Sequence, residues 1–195
     1  MPLMTPEDST FESLGLSKAT LKLIDQIGFK MPTPIQAQLI PSALEGRDLI
    51  GLAQTGSGKT AAFVLPIAER LQHGRGLRGL ILCPTREIAL QTKKFLDLFG
   101  QHHHLVTTCL IGGVKINPQI RELQSGPDII VATPGRLQDH LDRRNVRLDQ
   151  VEQLVLDEAD RMLDMGFVNE MRDLVAQLTR ERHSLFFSAT MSDKA

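Results

Sequence analysis

A regular alternation between short apolar runs and helical patterns restricts the fold of this chain more than any other feature. The apolar runs contain mostly Ile, Val, Leu or Phe, and they occupy positions 48–52, 79–83, 105–111, 128–132, 153–156 and 184–187. Patterns of helical periodicity lie between them, at positions 59–71, 86–99, 118–124, 135–141 and 167–178. Because the apolar runs mostly lack polar alternation, they are typical of strands covered on both faces. This order of elements predicts an α/β fold with a mostly parallel central sheet and helices on both faces.

The region before the first apolar run is predicted to contain a flexible lead-in, residues 1–10, and then two helices. Ser17 is placed to cap the first of these helices. Pro34 suits the first turn of the second helix, which Pro41 should kink or break. Since no Gly/Ser-rich linker interrupts the chain, residues 11–195 are interpreted as one domain.

Composition excludes several classes of protein. The chain has 22 Lys and Arg residues against 23 Asp and Glu residues, so its net charge is close to zero. Any nucleic-acid contact must therefore come from local basic groups and not from an overall positive charge. Cys83 and Cys109 lie in apolar runs, form no CxxC pair, and are predicted to be buried thiols. No apolar stretch approaches the roughly 18 residues that cross a membrane, and the first residues lack the pattern of a secretory signal. We therefore expect a soluble, cytoplasmic protein with no membrane partner.

The residues that follow the first apolar run match a glycine-rich loop that binds phosphate groups. Parallel strands end at one edge of a sheet, so the residues directly after each strand are candidate ligand contacts. The glycines let the backbone wrap an anion, the next helix offers free N–H groups, Lys59 can reach the β- and γ-phosphates, and the Thr60 hydroxyl can ligate Mg²⁺. Alanine replaces the first glycine of the general pattern. The loop consists of Ala53, Gln54, Thr55, Gly56, Ser57, Gly58, Lys59 and Thr60.

Two acids end the fifth apolar run. Asp157 could hold Mg²⁺, directly or through water, and Glu158 could orient and activate an attacking water molecule. A strand that ends in two acids is common, but its pairing with a phosphate-binding loop makes it a strong indication of nucleotide hydrolysis.

Three further junctions carry groups that suit an anionic backbone. Thr85 and Arg86 follow the second run, Gly112 and Gly113 follow the third, and a Thr-Pro-Gly-Arg segment at 133–136 follows the fourth. Taken singly, each is explained equally well by ordinary helix capping or by a turn.

In this order the motifs resemble those of the N-terminal RecA-like half of DEAD-box RNA helicases, a family of P-loop proteins. That family has an upstream aromatic residue, here Phe11, and an adenine-reading Q motif, here at 28–36. The tetrapeptide that gives the family its name stands at 157–160, and a Ser-Ala-Thr motif follows at 188–190. The resemblance covers nearly the whole chain and implies a RecA-like P-loop fold.

The resemblance also implies a role for each matching residue. Gln36 would hydrogen-bond the adenine edge, since a carboxamide offers both a donor and an acceptor, with Phe29 packed against the base and Phe11 and Thr33 in support. The residues that would line or support an RNA-backbone path are Arg86, Gly113, Thr133, Gly135 and Arg136. The residues that would couple the nucleotide site to RNA binding are Asp160, Ser188 and Thr190.

The implied cofactors are ATP and Mg²⁺, and the implied partner is RNA, contacted through its backbone without sequence preference. Family members carry a second RecA-like half that completes the ATP site, so the chain is interpreted as a fragment that binds nucleotide but hydrolyses it slowly and unwinds nothing. Two alternatives remain open from the residues. One is a double-stranded-DNA translocase or another phosphate-loop ATPase, and the other is a non-catalytic, ATP-gated RNA clamp or docking module.

Overall fold

All six apolar runs form strands in the computed structural model, which describes residues 9–54, 56–71 and 74–190. The strands are β1 Leu49–Leu52, β2 Gly79–Leu82, β3 Thr107–Leu110, β4 Ile129–Ala132, β5 Gln153–Leu156 and β6 His183–Ser188. The helices are α1 Lys18–Gln26, α2 Pro34–Leu44, α3 Lys59–Arg70, α4 Arg86–Gly100, α5 Ile116–Gln124, α6 Pro134–Asp142, α7 Ala159–Asp164 and α8 Val168–Ala176. Short 3₁₀ turns occupy Phe11–Leu14 and Gln101–His103. The predicted lead-in lies outside the described residues except for Ser9 and Thr10.

The six strands form one sheet in the order β1-β6-β5-β2-β4-β3, and every neighbouring pair is parallel. In the centre of the sheet, for example, Ile81 of β2 stands between Val131 of β4 and Val155 of β5. The predicted parallel α/β fold is confirmed. Its consequence for the site is that the carboxyl ends of all six strands meet at one edge.

Helices cover the sheet in two layers. Side chains of α1 to α4 pack on one face, where Phe63 of α3 meets Phe187 of β6 with ring centroids 5.2 Å apart. Side chains of α5 to α8 pack on the other face, where Leu137 and Leu174 are fully buried against the central strands. Burial of these two layers removes most apolar side chains from water, which is the main favourable contribution to folding.

The edge strand β1 departs from the sequence expectation. Its run was predicted to be covered on both faces, but Ile50 is 59% exposed and Leu52 is 57% exposed. The opposite side of β1 is covered by α2, whose Leu39 lies so close to Gly51 that a Cβ there would approach it to 3.0 Å. The prediction was wrong for one face because the apolar cluster of the α5–α8 layer is centred on β2, β4 and β5, and it includes no described residue of β1.

Two local features of the helices were not fully predicted from the sequence. Helix α2 continues through Pro41 instead of breaking there, since the buried residues Leu39, Ile40 and Ala43 hold it against the core on both sides of the proline. The short helix α7 was not predicted, because six residues are too few to show a helical period. Capping of α1 was predicted correctly, and the Ser17 hydroxyl accepts a hydrogen bond from the Thr20 amide at 3.3 Å.

Within the described ranges, no helix combines the length and the apolar content that a membrane crossing requires.

Candidate functional site

The order of strands sorts the predicted motifs into two neighbouring groups at the carboxyl edge. The first three strands across the sheet, β1, β6 and β5, lead into the glycine-rich loop, the Ser-Ala-Thr segment and the two acids. The next three, β2, β4 and β3, lead into the segments at 84–86, 133–136 and 112–113. The candidate nucleotide site and the candidate nucleic-acid path therefore lie side by side on one edge.

The glycine-rich loop is shaped by left-handed backbone conformations. Gly56 and Gly58 have φ angles of +85° and +88°, values that residues other than glycine rarely adopt. Gly58 also lacks space for a side chain, since a Cβ there would lie 2.6 Å from the Gln36 amide nitrogen. The loop begins where the Ala53 amide donates to the Ser188 carbonyl at 2.9 Å. Thr55 lies outside the described residues.

Lys59 occupies the centre of the candidate nucleotide site. It is the first residue of α3 and is 6% exposed. Its ammonium group donates a hydrogen bond to Glu158 Oε1 at 3.0 Å and lies 3.0 Å from Asp157 Oδ1. Thr60 follows it on the first turn of α3 and is half-buried. A buried cation at the start of a helix, behind a glycine loop, suits a phosphate chain.

Asp157 has the properties of a cation ligand. It is 1% exposed, and its Oδ1 lies 3.0 Å from the Lys59 ammonium nitrogen. Burial raises the pKa of its carboxyl above the ordinary range, and the nearby Lys59 ammonium opposes that rise only in part. A buried carboxylate at this edge of the sheet can also take a hard cation or a water molecule as a further partner.

Glu158 is held in an unusual backbone conformation. Its φ of +54° and ψ of +52° are left-handed, an arrangement that costs a residue other than glycine on the order of 1 kcal/mol. The carboxylate is further fixed by Arg161, whose Nη1 donates to Glu158 Oε2 at 3.3 Å. The strained backbone at the end of β5 thus turns the Glu158 side chain toward Lys59.

Gln36 joins the second helix to the glycine-rich loop. Its Oε1 accepts a hydrogen bond from the Thr33 amide at 3.0 Å, and its Nε2 donates to the Gly58 carbonyl at 3.0 Å. The side chain is buried, at 4% exposure. One N–H of the carboxamide and one lone pair of its oxygen remain for a further partner, such as the donor–acceptor edge of a base.

An open groove of about 510 Å³ lies between the start of α2 and the glycine-rich loop. Two hydroxyl groups that line it, those of Thr33 and Ser57, are buried and have no hydrogen-bond partner among the described residues. Buried polar atoms are rarely left unpaired, so their presence here indicates a binding site.

Aromatic rings support the same region. Phe29 stacks with Phe11 at a centroid distance of 6.4 Å and with Phe95 at 6.1 Å. Sequence reasoning named the first pair but missed Phe95, which lies on the inner side of α4. Its only sequence signal was its position in a helical apolar pattern. Phe29 remains half-buried, so part of its ring is accessible.

The acidic segment and the Ser-Ala-Thr segment are directly connected. Asp160 Oδ2 accepts hydrogen bonds from the Ala189 amide at 3.1 Å and from both the amide and the hydroxyl of Thr190 at 3.0 Å. The Ser188 hydroxyl donates to the Thr190 carbonyl. Burial alone would raise the pKa of Asp160, but hydrogen bonds from the amide of Arg161 and from Thr190 outweigh it and lower the pKa. The carboxylate is thus held ionised as the link between β5 and β6.

On the neighbouring half of the edge, Arg86 lies across the glycine turn after β3. A Cβ placed on Gly113 would overlap the Arg86 guanidinium, and Gly113 has a φ of +74°. The helix that carries Arg86 is capped by Thr85, whose hydroxyl accepts from the Ile88 amide at 3.4 Å. Sequence separation gave no reason to expect this contact, which the sheet order creates.

The segment after β4 is also turned toward the glycine turn. Arg136 Nη2 donates to the Val114 carbonyl at 3.1 Å, while its Nε and Nη1 have no hydrogen-bond partner among the described residues. Thr133 stands at the N-cap of α6, followed by Pro134 at the first helical position, but the threonine hydroxyl makes no capping hydrogen bond. Gly135 is exposed on the first turn of α6.

Comparison with known proteins places these motifs in context. A family model of DEAD/DEAH box helicases matches residues 33–195. The DEAD-box ATP-dependent RNA helicase CshA of Bacillus cereus is 46% identical over 186 residues, which cover 95% of this chain and 35% of that helicase. The probable ATP-dependent RNA helicase ddx27 of Dictyostelium discoideum is 46% identical over 197 residues, which cover 98% of this chain and 25% of that protein.

A similar fold has been observed by crystallography. The crystal structure of a DEAD box protein from the hyperthermophile Methanococcus jannaschii matches with a TM-score of 0.91 and 38% identity, over 95% of this chain and 51% of that one. The chain spans only 35% and 25% of the two curated relatives, so it corresponds to one part of such proteins.

Proposed function

The chain belongs to the DEAD/DEAH box helicase family, and we propose that it is the N-terminal RecA-like, ATP-binding domain of a cytoplasmic RNA helicase. In the whole protein this domain would couple ATP hydrolysis to RNA binding and duplex remodelling. The observation that carries the proposal is the buried Lys59, held at the start of α3 behind a glycine loop and facing Asp157 and Glu158.

ATP is the nucleotide that the site suits best. The phosphates would bind the backbone N–H groups of the loop and the start of α3, and Lys59 would exchange its carboxylate partners for phosphate oxygens. The remaining donor and acceptor of Gln36 would recognise the adenine edge, with Phe29 against the base. The unpaired hydroxyls of Thr33 and Ser57 support this placement, because they line the groove beside the loop.

The residues present also fit a magnesium ion. Asp157, which is buried directly after β5, and the Thr60 hydroxyl would hold the ion, directly or through water. When bound, Mg²⁺ would neutralise negative charge on the β- and γ-phosphate oxygens. Glu158, oriented by its left-handed backbone and by Arg161, would accept the proton of the attacking water molecule.

RNA would bind along the second half of the edge. Arg86, the turn at Gly113 and the exposed start of α6 around Thr133 and Gly135 offer cationic and backbone N–H groups to phosphates. Arg136 would support this path from beneath, through its hydrogen bond to the Val114 carbonyl. Since contacts to phosphates carry no base information, we expect binding by this chain to be weak, sensitive to salt and independent of sequence.

Catalysis at full rate would need a second RecA-like half. Such a half would supply an arginine for the charge that develops on the transferred phosphoryl group, a contribution of about 10³–10⁵ in rate in related phosphate-loop enzymes. It would also supply the opposing surface that grips and bends RNA. Coupling between the two ligands would pass through Asp160, Ser188 and Thr190, which connect the acids to the end of β6.

A steady-state ATPase assay of this chain and of a longer protein that contains the second half, each with and without RNA, tests the proposal. The short chain should bind Mg²⁺–ADP but turn over ATP very slowly, and the longer protein should show RNA-stimulated hydrolysis. Glu158→Gln in the longer protein should abolish turnover while sparing ATP binding, because it removes the base but keeps the phosphate contacts. Full, RNA-stimulated activity of the short chain would contradict the proposal.

The same assay separates the alternative functions. Equal use of ATP and GTP would favour another class of phosphate-loop ATPase, since adenine recognition by Gln36 would then be absent. RNA binding that depends on ATP but does not stimulate turnover in the longer protein would favour a clamp.

A further inference from the structure

The glycine turn after β3 is anchored to α6 on both of its sides. The turn consists of Gly112 and Gly113, and its flanking carbonyls belong to Ile111 and Val114. The Val114 carbonyl accepts a hydrogen bond from Arg136 of α6 at 3.1 Å. The Ile111 carbonyl accepts one from Gln119 Nε2 of α5 at 3.0 Å.

The second anchor reaches α6 through a histidine. Gln119 Oε1 lies 3.2 Å from Nε2 of His140, and His140 Nδ1 lies 3.2 Å from the side-chain nitrogen Nδ2 of Asn145. His140 is four residues after Arg136, so both side chains project from the same face of α6. One face of one helix therefore holds both ends of the glycine turn.

The hydrogen-bond pattern fixes the chemistry of this chain of groups. Because Gln119 donates its amide to Ile111, its oxygen faces His140, whose Nε2 must carry a proton and donate it. The Nδ1 atom then accepts from Asn145, and the imidazole is neutral. His140 is fully buried and Gln119 is 4% exposed, and a buried polar network in which each member has its partner is rigid.

We propose that Gln119 and His140 are positioning residues for RNA-backbone binding, fixing the glycine turn relative to the start of α6 so that both meet one phosphate backbone together. The inference rests on the proposed function of this edge. Binding groups must be held to within about 0.5 Å of their working geometry, and a second set of residues normally provides that support. Without the link, the Ile111 side of the turn would lose its anchor, and the turn beside Arg86 would be held to α6 by side chains only through Arg136 on its Val114 side.

The test compares two identical substitutions on the same helix. Gln119→Met keeps the approximate length of the side chain but removes its hydrogen bonds, whereas Gln124→Met changes an exposed residue at the end of α5. RNA affinity is measured by fluorescence anisotropy with a labelled single-stranded RNA at several salt concentrations, and nucleotide affinity by calorimetry with Mg²⁺–ADP.

The Gln119→Met variant should bind RNA about fivefold more weakly, the factor that one net hydrogen bond of about 1 kcal/mol provides. Its affinity should also depend less steeply on salt, since fewer phosphates are contacted at once. ADP affinity should stay at the parent value, and Gln124→Met should match the parent in every measurement. Parent-like RNA affinity in Gln119→Met, or an equal loss of ADP affinity, would overturn the inference.

A second variant keeps the test decisive if methionine destabilises the core. Gln119→Glu retains an oxygen that accepts from His140 but has no N–H for the Ile111 carbonyl, so it should lose RNA affinity in the same way. If neither variant folds, the network is only structural and the inference is wrong. Arg86→Ala is the separate check on the proposed function. An RNA affinity unchanged by that substitution would reject the RNA path itself, whatever the Gln119 variants do.

Discussion

Replacement of Lys59 by alanine should have two separable effects, one on stability and one on nucleotide binding. The ammonium group lies 3.0 Å from a carboxylate oxygen of both Asp157 and Glu158, and all three side chains are at least nine-tenths buried. Removing one partner from a buried ion pair costs about 3–5 kcal/mol, because the remaining charge is left without compensation. For a chain of 195 residues, about 3 kcal/mol corresponds to a fall of roughly 6–12 °C in Tm.

The pH dependence of this loss follows from Asp157. Burial already raises the pKa of its carboxyl in the parent, and removal of Lys59 takes away the charge that opposes the rise. A carboxyl whose pKa is higher in the folded state is most stabilising when protonated, so stability should fall as pH rises from the unfolded pKa through the folded one. The Lys59→Ala variant should therefore lose stability more steeply than the parent over that interval. Added Mg²⁺ should restore more of its Tm than it adds to the parent, since the ion replaces the missing cation.

Nucleotide binding should weaken in the same variant. One charge-assisted contact to phosphate contributes about 1.5–3 kcal/mol, so the affinity for ADP and ATP should fall tenfold or more. Calorimetric titration with Mg²⁺–ADP, together with thermal melts with and without Mg²⁺, measures both effects. Lys93→Ala is the control, because Lys93 pairs with Asp97 one turn away on α4 and is partly exposed, and such pairs contribute only about 0.3–0.5 kcal/mol. Unchanged ADP affinity in Lys59→Ala would refute the phosphate assignment, and an unchanged Tm would refute the buried-charge argument.

Three further predictions concern the rest of the edge and the core. Gln36→Glu should narrow the preference for ATP over GTP, because a carboxylate cannot donate to a base, and equal selectivity in variant and parent by competition binding would remove Gln36 from the pocket. Gly113→Ala should weaken RNA binding but not ADP binding, since a Cβ there displaces the Arg86 guanidinium and strains a φ of +74°; anisotropy and calorimetry would show whether the two effects separate. His140 and His183 both have a pKa lowered mainly by burial from an ordinary value of 6.5. Unfolding free energy should thus be highest above about pH 6.5 and fall as pH drops toward their folded-state pKa values, and urea midpoints that do not change with pH would contradict this.

Much of the fold was predictable from the sequence because its signals are local. Each strand of this sheet is a short apolar run, and each helix of more than two turns shows a helical period, so element type and order could be inferred without tertiary information. The strand order across the sheet has no local signal, which is why the exposed face of β1 at Ile50 and Leu52 was missed. Helix α2 passed through Pro41 for a related reason, because packing by Ile40 and Ala43 outweighs a backbone preference.

The candidate site was predictable to a different degree in its two halves. The positions of Lys59, Asp157 and Glu158 followed from motif spacing and from the rule that parallel strands end at one edge. The proposed positioning residues of the other half, Gln119 and His140, carry no motif, since a buried polar side chain is identified only by what lies beside it in space. For the same reason the Asp160 contacts could be inferred only from the family resemblance.

Three of the proposed ligand-binding groups of this edge already have a partner within the protein. Lys59 has two carboxylates, Gln36 has the Gly58 carbonyl, and Arg136 has the Val114 carbonyl. A ligand must replace or join these contacts, so its net gain is a difference between similar interactions rather than the full strength of a new one. Asp160 also has partners within the protein, but these are Ala189 and Thr190, which directly follow β6. Its contacts therefore join the acidic segment after β5 to the Ser-Ala-Thr segment. In the proposed function, exchange at Lys59 would release Asp157 and Glu158 for metal and water, and that exchange would make hydrolysis depend on the bound phosphate chain.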